Sequence, residues 1–284
     1  MRAMSGRSLA VALRLANAMM AAMARVGTDA GYAIGFAEAG GGDRMPVVFL
    51  HGVGSDKSVW AAQLAHFATE RRAIAFDYPG YGDSDPAPEG TSRDDFAAAI
   101  LGAMRALGVP RAHVCGLSLG GVVAIALHDA APDACASLII ADSFAAHPDG
   151  QAIYDRSVAG SADMRVLAEA RADVLLAQPA DPAVRHEVIE TMARIDPAAY
   201  RTGAEAVWLA DQRTRVEAIR CPVLMLCGSD DRVTPPALSQ SLARMIPGAR
   251  CETIESAGHL SNLERPDEFN TLAGAFIRGV DSRA

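Results

Sequence analysis

Gly116-Leu117-Ser118-Leu119-Gly120-Gly121 joins an apolar run that ends at Leu117 to a second one that opens at Leu119. A serine between small residues at this spacing predicts a nucleophile elbow, a strand-to-helix turn too tight for bulky neighbours. The turn lifts the Ser118 hydroxyl clear of the strand and leaves the next backbone N–H, that of Leu119, facing a reacting carbonyl. Gly116 and Gly120 let the backbone pass where a side chain would collide. Glycine and serine also fill ordinary turns, so the motif takes its weight from what surrounds it.

On either side of that turn, short β-rich runs alternate with helical patterns, the mark of a parallel sheet covered on both faces. The candidate strands are Tyr32–Ala37, Val47–Leu50, Ala73–Asp77, Ala112–Leu117, Ser137–Ala141, Val223–Cys227 and Arg250–Ile254. Helical patterns cover Ser58–Ala68, the stretch from Thr91 to Leu107, Leu119–Ala130, Pro236–Met245 and Asp267–Arg278. From Phe144 to Arg215 the pattern changes to helical stretches broken at Pro148, Pro179, Pro182 and Pro197. The expected organisation is an α/β core over residues 27–143 and 216–284, interrupted by a helical cap over residues 144–215.

Residues 1–26 form an extension with three readings. Leu9, Leu13, Ala16, Met20 and Met23 share one helical face, which favours an amphipathic helix. A secretory signal fits less well, because Arg14 and Asn17 interrupt the apolar part. A misassigned start is the third. The stretch is too short and polar to span a bilayer, so no stable membrane insertion is expected.

Half of the 284 residues are apolar, enough for a sizeable core. The net charge of −8 argues against a nucleic-acid partner, which calls for clustered Lys and Arg. Lys57 is the sole lysine; every other basic side chain is arginine. The five cysteines include no Cys-x-x-Cys pair and three lie in strand-like runs, which predicts buried thiols in a reducing, cytoplasmic compartment. Neither a cofactor nor a metal is expected, since no histidine or carboxylate cluster has ligand spacing. Homo-oligomerisation stays open.

A serine hydroxyl needs a base, and the base an orienting carboxylate, in the chain order Ser, Asp or Glu, His. Gly228-Ser229-Asp230-Asp231-Arg232-Val233-Thr234-Pro235 follows the strand Val223–Cys227 and supplies the acid. Its spacing favours Asp231, with Asp230 left to cap the turn. Ser256-Ala257-Gly258-His259 follows the next strand and supplies the base, His259. The oxyanion would be held by the N–H groups of Leu119 and Val53, the latter in His51-Gly52-Val53-Gly54 after Val47–Leu50. His51 reads as a structural ring that holds this loop. Asp77-Tyr78-Pro79-Gly80-Tyr81-Gly82-Asp83-Ser84 reads as a structural turn.

Taken in order, His-Gly-x-Gly, Asp-x-Pro-Gly-x-Gly-x-Ser, Gly-x-Ser-x-Gly-Gly, Gly-x-x-Asp-x-x-x-Pro and Gly-His resemble the α/β-hydrolase superfamily from about residue 30 onward. The resemblance implies an α/β-hydrolase fold: a mostly parallel eight-stranded sheet flanked by helices, with the cap over Ser118. Gly54-Ser55-Asp56 with Trp60, and Gly258-His259-Leu260-Ser261-Asn262-Leu263-Glu264-Arg265-Pro266, are similar to the 3-oxoadipate enol-lactonase group. That similarity implies a small ester or lactone substrate, here a lactone carrying a carboxylate. The chain departs from the group at His51-Gly52 and in its N-terminal extension.

An anionic substrate calls for a cap arginine facing Ser118. The cap holds eight arginines, among them Arg156, Arg165, Arg171 and Arg213, and the sequence does not choose between them. Trp208 reads as an anchor for a cap helix in preference to a pocket wall. Three alternatives keep the same triad: a C–C bond hydrolase of ring-fission diketones, a cofactor-free perhydrolase and a non-catalytic small-molecule receptor. Haloalkane dehalogenase and epoxide hydrolase use a carboxylate nucleophile, and position 118 is serine.

Overall fold

The structure, a computed structural model, describes residues 24–29 and 31–283. Eight strands form one sheet: β1 (Ala24–Gly27), β2 (Ala33–Ala39), β3 (Val47–Leu50), β4 (Ala73–Phe76), β5 (Ala112–Leu117), β6 (Cys135–Ala141), β7 (Val223–Gly228) and β8 (Arg250–Ile254). Their spatial order is β1-β2-β4-β3-β5-β6-β7-β8, and only the pairings of β2 with its two neighbours are antiparallel. Helices α1 (Ala61–Phe67), α2 (Arg93–Ala106), α3 (Leu119–Ala130), α9 (Pro236–Met245), α10 (Ser261–Glu264) and α11 (Pro266–Asp281) flank it. Helices α4 (Gly150–Gly160), α5 (Met164–Leu175), α6 (Pro182–Ala193), α7 (Pro197–Trp208) and α8 (Arg213–Glu217) all fall between β6 and β7.

The central strands are buried along their full length, as a sheet covered on both faces requires, which is why they read as continuous apolar runs. At the edge, β8 is half exposed and carries Arg250, Glu252 and Thr253 among its five residues. Prolines that break the helical region also start its helices. Asp181 and Asp196 cap the following N–H groups, with Pro182 and Pro197 at the first helical position, where the missing N–H costs nothing. The segment is tied back to the core by Gln212, whose Nε2 donates to Val122 O at 2.7 Å, and by Trp208 stacked on Phe144 at 5.9 Å.

Two expectations need correction. Ala24–Gly27, mostly assigned to the N-terminal extension, is a strand paired in register with Ala33–Phe36. Four residues with one β-branched side chain carry almost no strand signal of their own; the partner supplies it. The rest of that extension, residues 1–23, lies outside the described residues. The helix expected over 58–68 begins with a 3-10 turn, Lys57–Trp60, capped by Asp56, before α1 starts. Among the described residues no helix is long and apolar enough to cross a membrane.

Candidate active site

Ser118, Asp142, the Asp231 loop and the His259 loop follow the ends of β5, β6, β7 and β8, so all four lie along the C-terminal edge of the sheet, where open α/β folds carry their sites. Ser118 sits between β5 and α3 at φ 54°, ψ −111°. Such a conformation costs on the order of 1–3 kcal/mol at a non-glycine residue and persists only where packing enforces it. Here a Cβ on Gly116 would lie 2.1 Å from Gly120 O, and one on Gly120 would lie 2.1 Å from Leu50 O. Strand and helix therefore meet backbone to backbone. Ser118 N donates to Ala141 O at 2.9 Å, and Ser143 Oγ donates to Ser118 O at 2.9 Å, pinning the turn.

Asp231 and His259 come together. His259 Nδ1 lies 2.9 Å from Asp231 Oδ2, with both side chains buried. Asp231 also accepts from Val233 N at 2.8 Å, Thr234 N at 2.9 Å and Thr234 Oγ1 at 2.6 Å. Burial opposes its ionisation, yet the His259 ring and the Thr234 bonds outweigh that and hold the carboxyl below the usual carboxylate range. Asp230 is exposed, and its N–H donates to Ala257 O at 2.9 Å, joining its loop to the one that carries His259. The His259 loop is held from several sides. His259 N donates to Leu175 O at 2.7 Å, Gly258 N to Glu264 Oε2 at 2.7 Å, and Asn262 Nδ2 to Val59 O at 2.9 Å.

The Ser118 hydroxyl is buried with no hydrogen-bond partner among the described residues, and it lines the same cavity as the His259 ring. Neither Val53 N–H nor Leu119 N–H donates to a protein acceptor among the described residues. Val53 lines the cavity, and a Cβ on the adjacent Gly52 would lie 3.6 Å from Ser118 Cβ. His51 is fully buried, its Nδ1–H donating to Gly52 O at 2.8 Å, with Tyr78 and Tyr81 packed on the ring. Burial, opposed by Asp77, lowers its pKa. The Asp77 turn is likewise structural: Asp77 accepts from Lys57 N and, at 2.6 Å, from Lys57 Nζ. That pairing is where the lone lysine goes.

The cavity has a largely apolar wall with a few polar groups converging on it, the character of a small-molecule site. Helices α5, α6 and α7 contribute Arg171, Leu175, Val188, Met192, Tyr200 and Trp208 to it. Of the eight arginines, Arg165, Arg185, Arg213 and Arg215 pair with carboxylates at the surface. Arg171 lines the cavity, and its Nε is buried without a partner among the described residues. Tyr200 OH and Trp208 Nε1 are also unpartnered there. Trp208 thus does both things at once, anchoring on Phe144 and walling the cavity. Sequence reasoning misses Asp142 and Glu264, whose partners Gly228, Ser261 and Ala177 are distant in the chain, and Thr234, which bonds Asp231 within its own loop but carries no motif of its own.

An eight-stranded sheet of this order with a strained serine between β5 and α3 defines the α/β-hydrolase architecture. The chain belongs to the Alpha/beta hydrolase family, whose profile matches residues 47–272. It is 28% identical over 253 residues to 3-oxoadipate enol-lactonase 2 of Acinetobacter baylyi, covering 87% of this chain and 93% of that one. The enol-lactonase of Burkholderia xenovorans LB400 superposes with a TM-score of 0.83 at 28% identity, over 90% of this chain and 100% of that one. A thermophilic esterase from Thermogutta terrifontis does so with a TM-score of 0.83 at 26% identity, over 92% and 100%.

Proposed function

We propose that the chain is a serine hydrolase that cleaves a small ester or lactone through an acyl-enzyme on Ser118. The 2.9 Å Asp231–His259 hydrogen bond, at the cavity that Ser118 lines, carries this reading. His259 takes the Ser118 proton, and Oγ attacks the carbonyl carbon. The Val53 and Leu119 N–H groups hold the resulting oxyanion. As the intermediate collapses, His259 returns the proton to the leaving oxygen, releasing an alcohol or opening a lactone ring. Water then attacks the acyl carbon as His259 takes its proton, and the acid leaves with Ser118 restored. Asp231 keeps the imidazole in the right tautomer and stabilises its charged form. Residues 144–215 serve as the cap that closes the cavity. Five unpaired thiols support a reducing, cytoplasmic setting.

Enol-lactone opening is the specific activity we favour. Its supports are the lactonase relatives and the unpartnered Arg171 Nε, which suits a substrate carboxylate. A panel of lactones, short acyl esters and ring-fission diketones tests it. The carboxylated enol-lactone should give the highest kcat/KM. Arg171→Met should raise its KM by about tenfold or more, the worth of one charge-assisted hydrogen bond, and raise that of neutral esters far less. If enol-lactone is no better than a simple short ester, the lactonase assignment fails while the esterase assignment stands. Turnover confined to the diketones would replace both.

A further inference from the structure

Asp142 closes β6 in a left-handed conformation, φ 48°, and is completely buried. One carboxyl oxygen accepts from Gly228 N at 2.8 Å, where β7 hands over to the acid loop. The other lies 2.5 Å from Ser261 Oγ, two residues beyond His259. No Lys, Arg or His among the described residues forms an ion pair with it. The one nearby imidazole is already bonded to Asp231. Two buried carboxyls thus share a site that offers one base.

We propose that Asp142 is a positioning residue, held as the neutral acid, that ties the acid loop at Gly228 to the base loop at Ser261 and so sets the Asp231–His259 geometry. As a neutral acid it has one oxygen to accept from Gly228 N–H and one O–H to share with Ser261 Oγ, so both contacts are satisfied without a second anion beside His259. The groups that face it agree. Asp231 from the β7 loop and Glu264 from α10 are acidic, and Cys227 on β7 is a buried thiol. Burial foremost, and Asp231 next, push the carboxyl well above the ordinary range. Asp231 keeps the charge because His259 and Thr234 stabilise it there.

The inference rests on the hydrolase reading for its kinetic arm alone; its stability arm stands without it. Asparagine reproduces both contacts of a neutral carboxyl and cannot ionise. Asp142→Asn should therefore approach the wild-type Tm near about pH 4 and exceed it increasingly toward about pH 9, because only the aspartate must hold a proton in the fold that the unfolded chain releases. With a p-nitrophenyl ester, Asp142→Ala should lower kcat about tenfold or more through misplacement of the two loops, and Asp142→Asn should recover most of it. The acid limb of the Asp142→Asn pH profile should stay within about 0.3 unit of wild type, since no charge is removed. If Asp142→Ala does not fold, Ser261→Ala cuts the tie from its other end and should lower kcat in the same way.

A gap in Tm that shrinks or reverses as pH rises would overturn the proposal, as would an acid limb displaced downward by about one unit. Either would mean an ionised Asp142. Loss of about 10⁴ in kcat for Asp142→Asn, with Asp231→Asn mild, would make Asp142 the triad acid and overturn the proposal from the other side. Absence of ester turnover in the wild-type enzyme would count against the hydrolase reading instead and leave the Tm comparison intact.

Discussion

Gly120→Ala probes the turn on which the site depends. Its Cβ would stand 2.1 Å from Leu50 O and 2.7 Å from Leu50 C. An ordinary carbon–oxygen contact is about 3.3 Å, so α3 and β3 would have to part by roughly 1.2 Å. Leu50 cannot yield easily, because β3 is paired on both sides, with β4 and with β5. Overpacking of this kind costs about 1–3 kcal/mol, here toward the upper end, against at most about 1 kcal/mol gained from alanine in a helix. The net loss of about 2 kcal/mol corresponds to a Tm lower by roughly 4–8 °C in a chain of this size. Displacing Ser118 and the Leu119 N–H by about an ångström should also lower kcat/KM about a hundredfold. Gly279→Ala is the control: its Cβ would meet nothing nearer than Arg283 Nη2 at 3.9 Å, so propensity alone acts and Tm should rise slightly. Thermal unfolding followed by circular dichroism reads both variants. Gly120→Ala as stable as wild type, or raised like Gly279→Ala, would refute the claim that backbone contact enforces the elbow.

Further outcomes follow from the acid, the buried ring and the pH range. Asp231→Asn should lower kcat by about 10⁴ through the wrong imidazole tautomer, whereas Asp230→Asn, at an exposed position, should change it less than about threefold; the reverse pattern in steady-state kinetics would assign the acid to Asp230. His51 has its folded-state pKa lowered by burial, so below about pH 6.5 the unfolded chain takes up a proton that the folded chain refuses. Tm should therefore fall on acidification from about pH 7 to about pH 5, and fall less in His51→Gln; equal slopes in both proteins would show that His51 is not buried as the neutral ring.

Much of the fold is legible in the sequence because a parallel sheet buries both faces, which leaves dense apolar runs such as Val47–Leu50 and Ala112–Leu117. β1 is not, since Ala-Arg-Val-Gly is strand only by virtue of β2. The 3-10 turn at Lys57–Trp60 combines a local cap, Asp56, with a bond from Lys57 N to Asp77, twenty residues on, which the sequence does not mark. Ser118, Asp231 and His259 stand out because glycines and strand ends mark their loops. The residues that hold those loops carry no local mark: Asp142 meets Gly228 and Ser261, and Glu264 meets Ala177, only once β6, β7 and the helices between them are assembled. The same holds for Arg171, which its sequence does not separate from seven other arginines and its position in the cavity does.

The nucleophile is tested most directly by covalent capture. A fluorophosphonate ester reacted with the intact protein should add about one group per chain, located by peptide mass spectrometry on Ser118, with ester hydrolysis lost in proportion. Ser118→Ala should take up no label and keep less than about a thousandth of the activity. Labelling at another residue, or an unlabelled Ser118→Ala enzyme that still turns over ester at near the wild-type rate, would contradict the account.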